Sequence, residues 1–208
     1  MNQLLAIIAM LSNPGPLAEN SLTLQTGATG VEGQAWDLLE YGGLPSWGLE
    51  VGRPMGERTT MTFGLHRSVT GSTLGMESYD DDGDYSESSF GAVYAGHRVG
   101  VGLEREHALT HWLLPYAGLE AQLLQGRVLL DEDLDDDDNA NELSSMGFTP
   151  GAAALAGVDL PIGSEDAKVR VTLNFEVGYG YALPMRLGDL GSLPIQGVQT
   201  QWGLGVRY

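Results

Sequence analysis

Two stretches of this chain group side chains closely enough to do chemistry. In DDDGDYSE (80–87), Asp80, Asp82 and Asp84 alternate, and carboxylate oxygens are the ligands calcium prefers. The calcium loop of an EF-hand turns on a glycine at its sixth position. Here Gly83 falls at the fourth, and DLDDDDNANE (133–142) has no glycine at all. Both read as solvated acidic loops that gather divalent cations diffusely, so no defined metal site is expected. In His66-Arg67-Ser68 a histidine lies two residues from a serine. With Glu77 or Asp80 to orient the imidazole, these would be the base, nucleophile and acid of an acyl hydrolase. His107 and His111 have the spacing of a helical zinc pair, and His97 lies ten residues before His107, but EREHALTH lacks the HExxH order and falls in an expected turn. GVGLERE and GATGVEG are rich in glycine, yet no strand-to-helix context follows either, so no phosphate loop is expected.

Composition narrows the classes. The 208 residues suffice for one sizeable domain. Net charge is −18 from only ten Lys and Arg, which argues against nucleic acid, since phosphate backbones need clustered cations. There is no cysteine, so disulfides, thiolate metal sites and a cysteine nucleophile are excluded. Leu4 to Leu11 form an apolar run that Asn13-Pro14-Gly15-Pro16 breaks. It is too short to span a bilayer as a helix and has the form of an export signal, so residues 1–18 are expected to be removed and 19–208 to form the mature domain.

The elements that must position these residues are strands. In QTQWGLGVRY, Val198, Thr200, Trp202, Leu204, Val206 and Tyr208 share one parity, and Gln199, Gln201, Gly203, Gly205 and Arg207 the other. That is a period of two, with one apolar face and one small or polar face. KVRVTLNFEVGYG repeats it, setting Val171, Leu173, Phe175, Val177 and Tyr179 against Arg170, Thr172, Asn174 and Glu176. Similar alternation in NSLTLQTG, WGLEVG, TTMTFGLHR, PYAGLEAQLL and FTPGAAALAGVDL, with one further strand inside SSFGAVYAGHRVGVGL, makes eight candidates. Within the last, Phe90, Ala92 and Tyr94 compete in parity with Val93, Ala95, Val99 and Val101, and a bulge would reconcile them.

The links near 53–58, 104–110 and 161–167 are short, and those near 31–45, 68–87, 126–147 and 181–196 are long. Short and long alternate strictly, as the turns and loops at the two ends of an up-and-down barrel do. Residues 68–88 and 126–147 hold 14 of the 28 acids, so charge collects at the long-loop end. Lipid offers no hydrogen bonds, so a sheet that spans it must close. Eight strands enclose an interior just wide enough for side chains. Glu50, Glu120, Arg170, Glu176 and Arg207 have inward parity and are expected to form a lumenal polar network, each charge needing a partner.

The ending WGLGVRY resembles the terminal strand by which bacterial outer-membrane proteins are recognised for insertion. The pattern from about 20 to 208 resembles the small eight-stranded outer-membrane barrels of the OmpA, OmpX and OmpW type. That resemblance implies an all-β, eight-stranded antiparallel transmembrane barrel in a Gram-negative outer membrane, with short periplasmic turns and long acidic external loops. It also implies lipid and lipopolysaccharide as partners, and Trp202, Leu204, Val206 and Tyr208 as the signal read by the barrel-insertion machinery. A structural, cell-surface interaction role with a narrow or plugged lumen is expected, with no cofactor and no catalysis. The alternatives are a porin-like low-conductance pore, a soluble lipocalin-like ligand carrier and a lipid A-modifying enzyme. The His-x-Ser spacing is similar to that of the outer-membrane lipid A deacylases, but the match covers three residues, and parity turns His66 to the lumen while lipid arrives from outside.

Overall fold

A computed structural model describes residues 19–31, 43–79, 85–107, 109–133, 143–164, 167–188 and 191–208. Eight strands close into one antiparallel barrel: β1 (Ser21–Gly30), β2 (Gly43–Pro54), β3 (Thr59–Tyr79), β4 (Tyr85–Glu106), β5 (Leu114–Asp133), β6 (Leu143–Ile162), β7 (Arg170–Ala182) and β10 (Gln196–Arg207). Each strand pairs with its neighbour in sequence, and β10 closes on β1. Two-residue strands β8 (Met185–Arg186) and β9 (Ser192–Leu193) form a separate hairpin between β7 and β10. The closing seam is paired to its last residue: Asn20 and Tyr208 exchange backbone hydrogen bonds of 3.1 and 2.9 Å.

Register fixes the shape. Partners followed from Pro115 on β5 run through Val158, Phe175, Trp202, Thr26, Trp47, Arg67 and His97, and return to β5 at Gln125. One circuit climbs the ten residues from Pro115 to Gln125. With ~3.3 Å rise per residue and ~4.8 Å between strands, that stagger tilts eight strands by about 40°.

Alternation assigns the two faces, and they are inverted relative to a soluble protein. Outward positions carry Leu24, Leu65, Val101, Leu119, Phe175, Val177, Trp202 and Leu204, all exposed. Inward positions carry Thr23, Gln25, Thr62, His66, Gln122, Thr172, Asn174, Gln199 and Gln201, all buried. A lipocalin keeps its apolar side chains within; this barrel turns them out. A continuous greasy wall is what hydrocarbon covers, and the closed ladder leaves no strand edge unpaired within it.

Three expectations need correction. Most of the segments at 68–87 and 126–147 are strand and not loop: β3 and β4 pair without a break to Tyr79 and Tyr85, and β5 runs to Asp133. Ladder hydrogen bonds continue past the apolar wall, where alternation no longer marks them. No bulge interrupts β4, whose register with β3 and β5 is continuous. Ala92 and Tyr94 face inward with Arg98, and their apolar character belongs to a small core at one end of the lumen. The segment 181–196 is the third correction, because it folds into the barrel mouth.

Candidate functional site

The lumen is the site, and it is layered. At the long-loop end the β8–β9 hairpin caps it. Met185, Leu187, Leu193 and Ile195 point into the mouth and pack with Leu44, Tyr94, Leu124 and Val128 from the barrel wall. Met185 is completely buried. Glycines on β5 and β6 make room for it: a Cβ on Gly126 would lie 2.8 Å from the Met185 sulfur, and one on Gly147 would lie 2.7 Å from its Cγ. The hairpin is tied at its stem, where Thr149 Oγ1 donates to the Leu183 carbonyl at 2.6 Å and the Ala182 amide to the Ile195 carbonyl at 3.0 Å.

Beneath the cap lies a polar layer. Arg98 Nη1 donates to Gln199 Oε1 at 2.8 Å, across the barrel. His66, Ser68, Gln122 and Gln199 line a cavity with about 30 Å³ of room, space for one or two waters at roughly 15 Å³ each.

The next layer is rich in carboxylates. Tyr116 donates to Glu176 Oε2 at 2.9 Å, and Asn174 Nδ2 donates to Tyr116 Oη at 3.0 Å and to Asp159 Oδ1 at 2.8 Å. Glu120 fills the space where a side chain on Gly100 would stand. At the short-turn end Arg207 pairs with Glu106, and lies 3.7 Å from Asp159 and 3.9 Å from Glu19. Arg170 Nη2 donates to Glu19 at 2.5 Å.

All five residues expected in the lumen are on inward positions. Glu120, Arg170, Glu176 and Arg207 are buried and Glu50 is half-buried. They do not pair with one another among the described contacts. The partners of the arginines are Glu19 and Glu106, and that of Glu176 is Tyr116. Sequence reading missed Glu19, Arg98, Glu104, Glu106, Tyr116 and Asp159. Parity could have found those on strands, but which of them meet depends on a register that spans the barrel. Trp202, Leu204 and Tyr208 are exposed outward and Val206 half-buried on the same face. Asp80, Asp82 and Asp84 lie outside the described residues, as do most of 133–142 and all of 1–18. His66 is buried beneath the cap, so no lipid on the outer wall reaches it, and Glu77 has no described side chain.

The fold is that of the small eight-stranded outer-membrane barrels. Among solved structures the chain is similar to Neisserial surface protein A, at 14% identity and a TM-score of 0.52, covering 91% of this chain and 96% of that one. It is also similar to the N-terminal barrel of OprF from Pseudomonas aeruginosa (11% identity, TM-score 0.40, 91% and 98% covered). A third is Ail of Yersinia pestis, solved with the heparin analogue sucrose octasulfate (13% identity, TM-score 0.42, 91% and 96% covered). No protein-family model and no curated protein matches the sequence.

Proposed function

We propose that this chain is a non-enzymatic outer-membrane protein of a Gram-negative cell surface, whose barrel holds acidic external loops in place and whose lumen is closed. In this reading residues 1–18 are the export signal, and Trp202, Leu204, Val206 and Tyr208 are what the insertion machinery reads. The observation that carries it is the double seal: an apolar hairpin across the mouth, and below it arginines and carboxylates bonded across a narrow interior. A solute would have to displace both. The wall itself supports a membrane setting, since every strand turns large apolar side chains outward.

Planar-bilayer recording tests the closed lumen. The purified barrel is expected to insert without steady conductance steps. Steady openings would make it a low-conductance pore instead, with the lumenal carboxylates setting its selectivity.

A further inference from the structure

Below the long-loop ends of β3, β4 and β5, charge on the outer wall is of one sign. The register puts Glu77, Glu87, Asp131 and Asp133 at outward parity, all beyond Arg67, His97 and Arg127 on the long-loop side; from that level down to the short turns no described outward strand position carries Asp or Glu, although the chain has 28 acids. The outward charges there are Arg53, Arg67, Arg105 and Arg127, and His97 is the only outward histidine. They fall into two groups. Arg53 and Arg105 lie at the short-turn end of the wall. Arg67, His97 and Arg127 lie on β3, β4 and β5 at the long-loop edge.

The second group is compact. Arg67 and His97 are direct cross-strand partners, which puts their Cβ atoms about 4.5–5.5 Å apart. Arg127 is diagonal to His97, two residues beyond its partner Gln125, at roughly 7–8 Å. Trp47 is the partner of Arg67 on the other side, and the guanidinium stacks 5.7 Å from its ring centre. Below these three side chains the same strands turn out Leu65, Val99 and Leu123. Arg105 and His97 are eight residues apart on β4, about 20 Å of height at this tilt, against an apolar band of ~25 Å in such barrels. Arg67, His97 and Arg127 therefore stand at headgroup level, just above where acyl chains pack.

We propose that Arg67, His97 and Arg127 bind the phosphate of a phosphorylated glycolipid in the outer leaflet, with its acyl chains along Leu65, Val99 and Leu123. This rests on the outer-membrane reading and adds to it the residues and the chemistry of one lipid contact. A strongly acidic protein in an anionic leaflet needs a place where a lipid phosphate can approach the wall, and this is the one cationic patch at that edge among the described residues. Arginine forks suit phosphate oxygens, and the Trp47 ring holds one of them in position.

The refolded barrel in detergent, probed by native mass spectrometry, tests this. The probes are bisphosphorylated lipid A, the same lipid with its phosphates removed, and inorganic phosphate as competitor. The wild-type chain is expected to bind the bisphosphorylated form about tenfold or more tightly than the dephosphorylated one, since each charge-assisted bond lost costs a factor of that order. R67Q/R127Q should lose that preference, R67K/R127K should regain most of it, and R53Q/R105Q should keep it. Equal binding of the two lipids by the wild type, undiminished preference in R67Q/R127Q, equal loss in R53Q/R105Q, or displacement by millimolar inorganic phosphate would each overturn the proposal. Heat-modifiable gel migration of every sample reads the barrel separately. If R67Q/R127Q loses that shift, R67Q and R127Q singly carry the same comparison. If the wild type lacks it, the membrane-barrel reading fails and not the phosphate site.

Discussion

Arg207 shows how much of the barrel's stability rests on single lumenal side chains. It is buried, paired with Glu106 and close to Asp159 and Glu19. Replacing it with methionine strands Glu106 in a site where a lone carboxylate is poorly solvated, and is expected to cost about 3–5 kcal/mol. Pairing that change with Glu106→Leu should recover most of the loss, because an apolar pair of similar volume replaces a buried ion pair at little net cost. Denaturant unfolding of the barrel in lipid vesicles reads both. On the other face, Leu119 is among the most exposed apolar side chains of the wall, and Leu119→Arg should cost about 2–4 kcal/mol near the bilayer midplane. In a wall facing water the same change would be nearly neutral, so the two settings are separable by one variant. The identity of inward and outward residues was legible in the sequence at this scale. Their partners were not: Arg170 finds Glu19, which is distant along the chain and comes close only because β7, β10 and β1 are adjacent.

At the scale of elements, alternation located β1, β7 and β10 because each lies almost wholly within the apolar wall. It failed at the far ends of β3, β4, β5 and β6, where the apolar alternation stops and acidic residues such as Asp131 and Asp133 look like loop. The β8–β9 hairpin was the larger miss. MRL and SLPI carry the inward set Met185, Leu187, Leu193 and Ile195, but two-residue strands give too short a period to read, and a link between strands is expected on the outside. A barrel of this radius has an open mouth, and a short apolar hairpin closes it by burying side chains the loop would otherwise expose. Met185→Asp places a charge in that dry contact and should undock the hairpin while leaving the eight-stranded ladder intact. Trypsin reports this: cleavage after Arg186, within β8, is expected to accelerate about tenfold or more in the variant, an undocking of about 1.4 kcal/mol.

At the scale of the molecule, the barrel sorts charge into compartments. The ten Lys and Arg divide between the lumen, the short-turn end, the long-loop edge of the wall and, for Arg186, the capping hairpin, while half of the acids lie in the two most acidic segments. Each compartment suits the proposed setting: bonded ions inside, neutral side chains along the middle of the outer wall and arginines at its two ends. The eight-stranded class was visible in the rhythm of short and long links, because closure of an up-and-down sheet forces that rhythm. The cap and the cross-lumen bonds were not, since they arise only once the sheet has closed. All of it depends on acyl chains covering the outer wall, and Trp202, 60% exposed on that wall, can be asked directly. With Trp36, Trp47 and Trp112 replaced by Phe, its fluorescence is recorded in vesicles whose acyl chains carry bromine. Strong quenching by the brominated chains with little effect of aqueous iodide is the result expected. Quenching by iodide with none from the brominated chains would show water on that surface and contradict the membrane barrel.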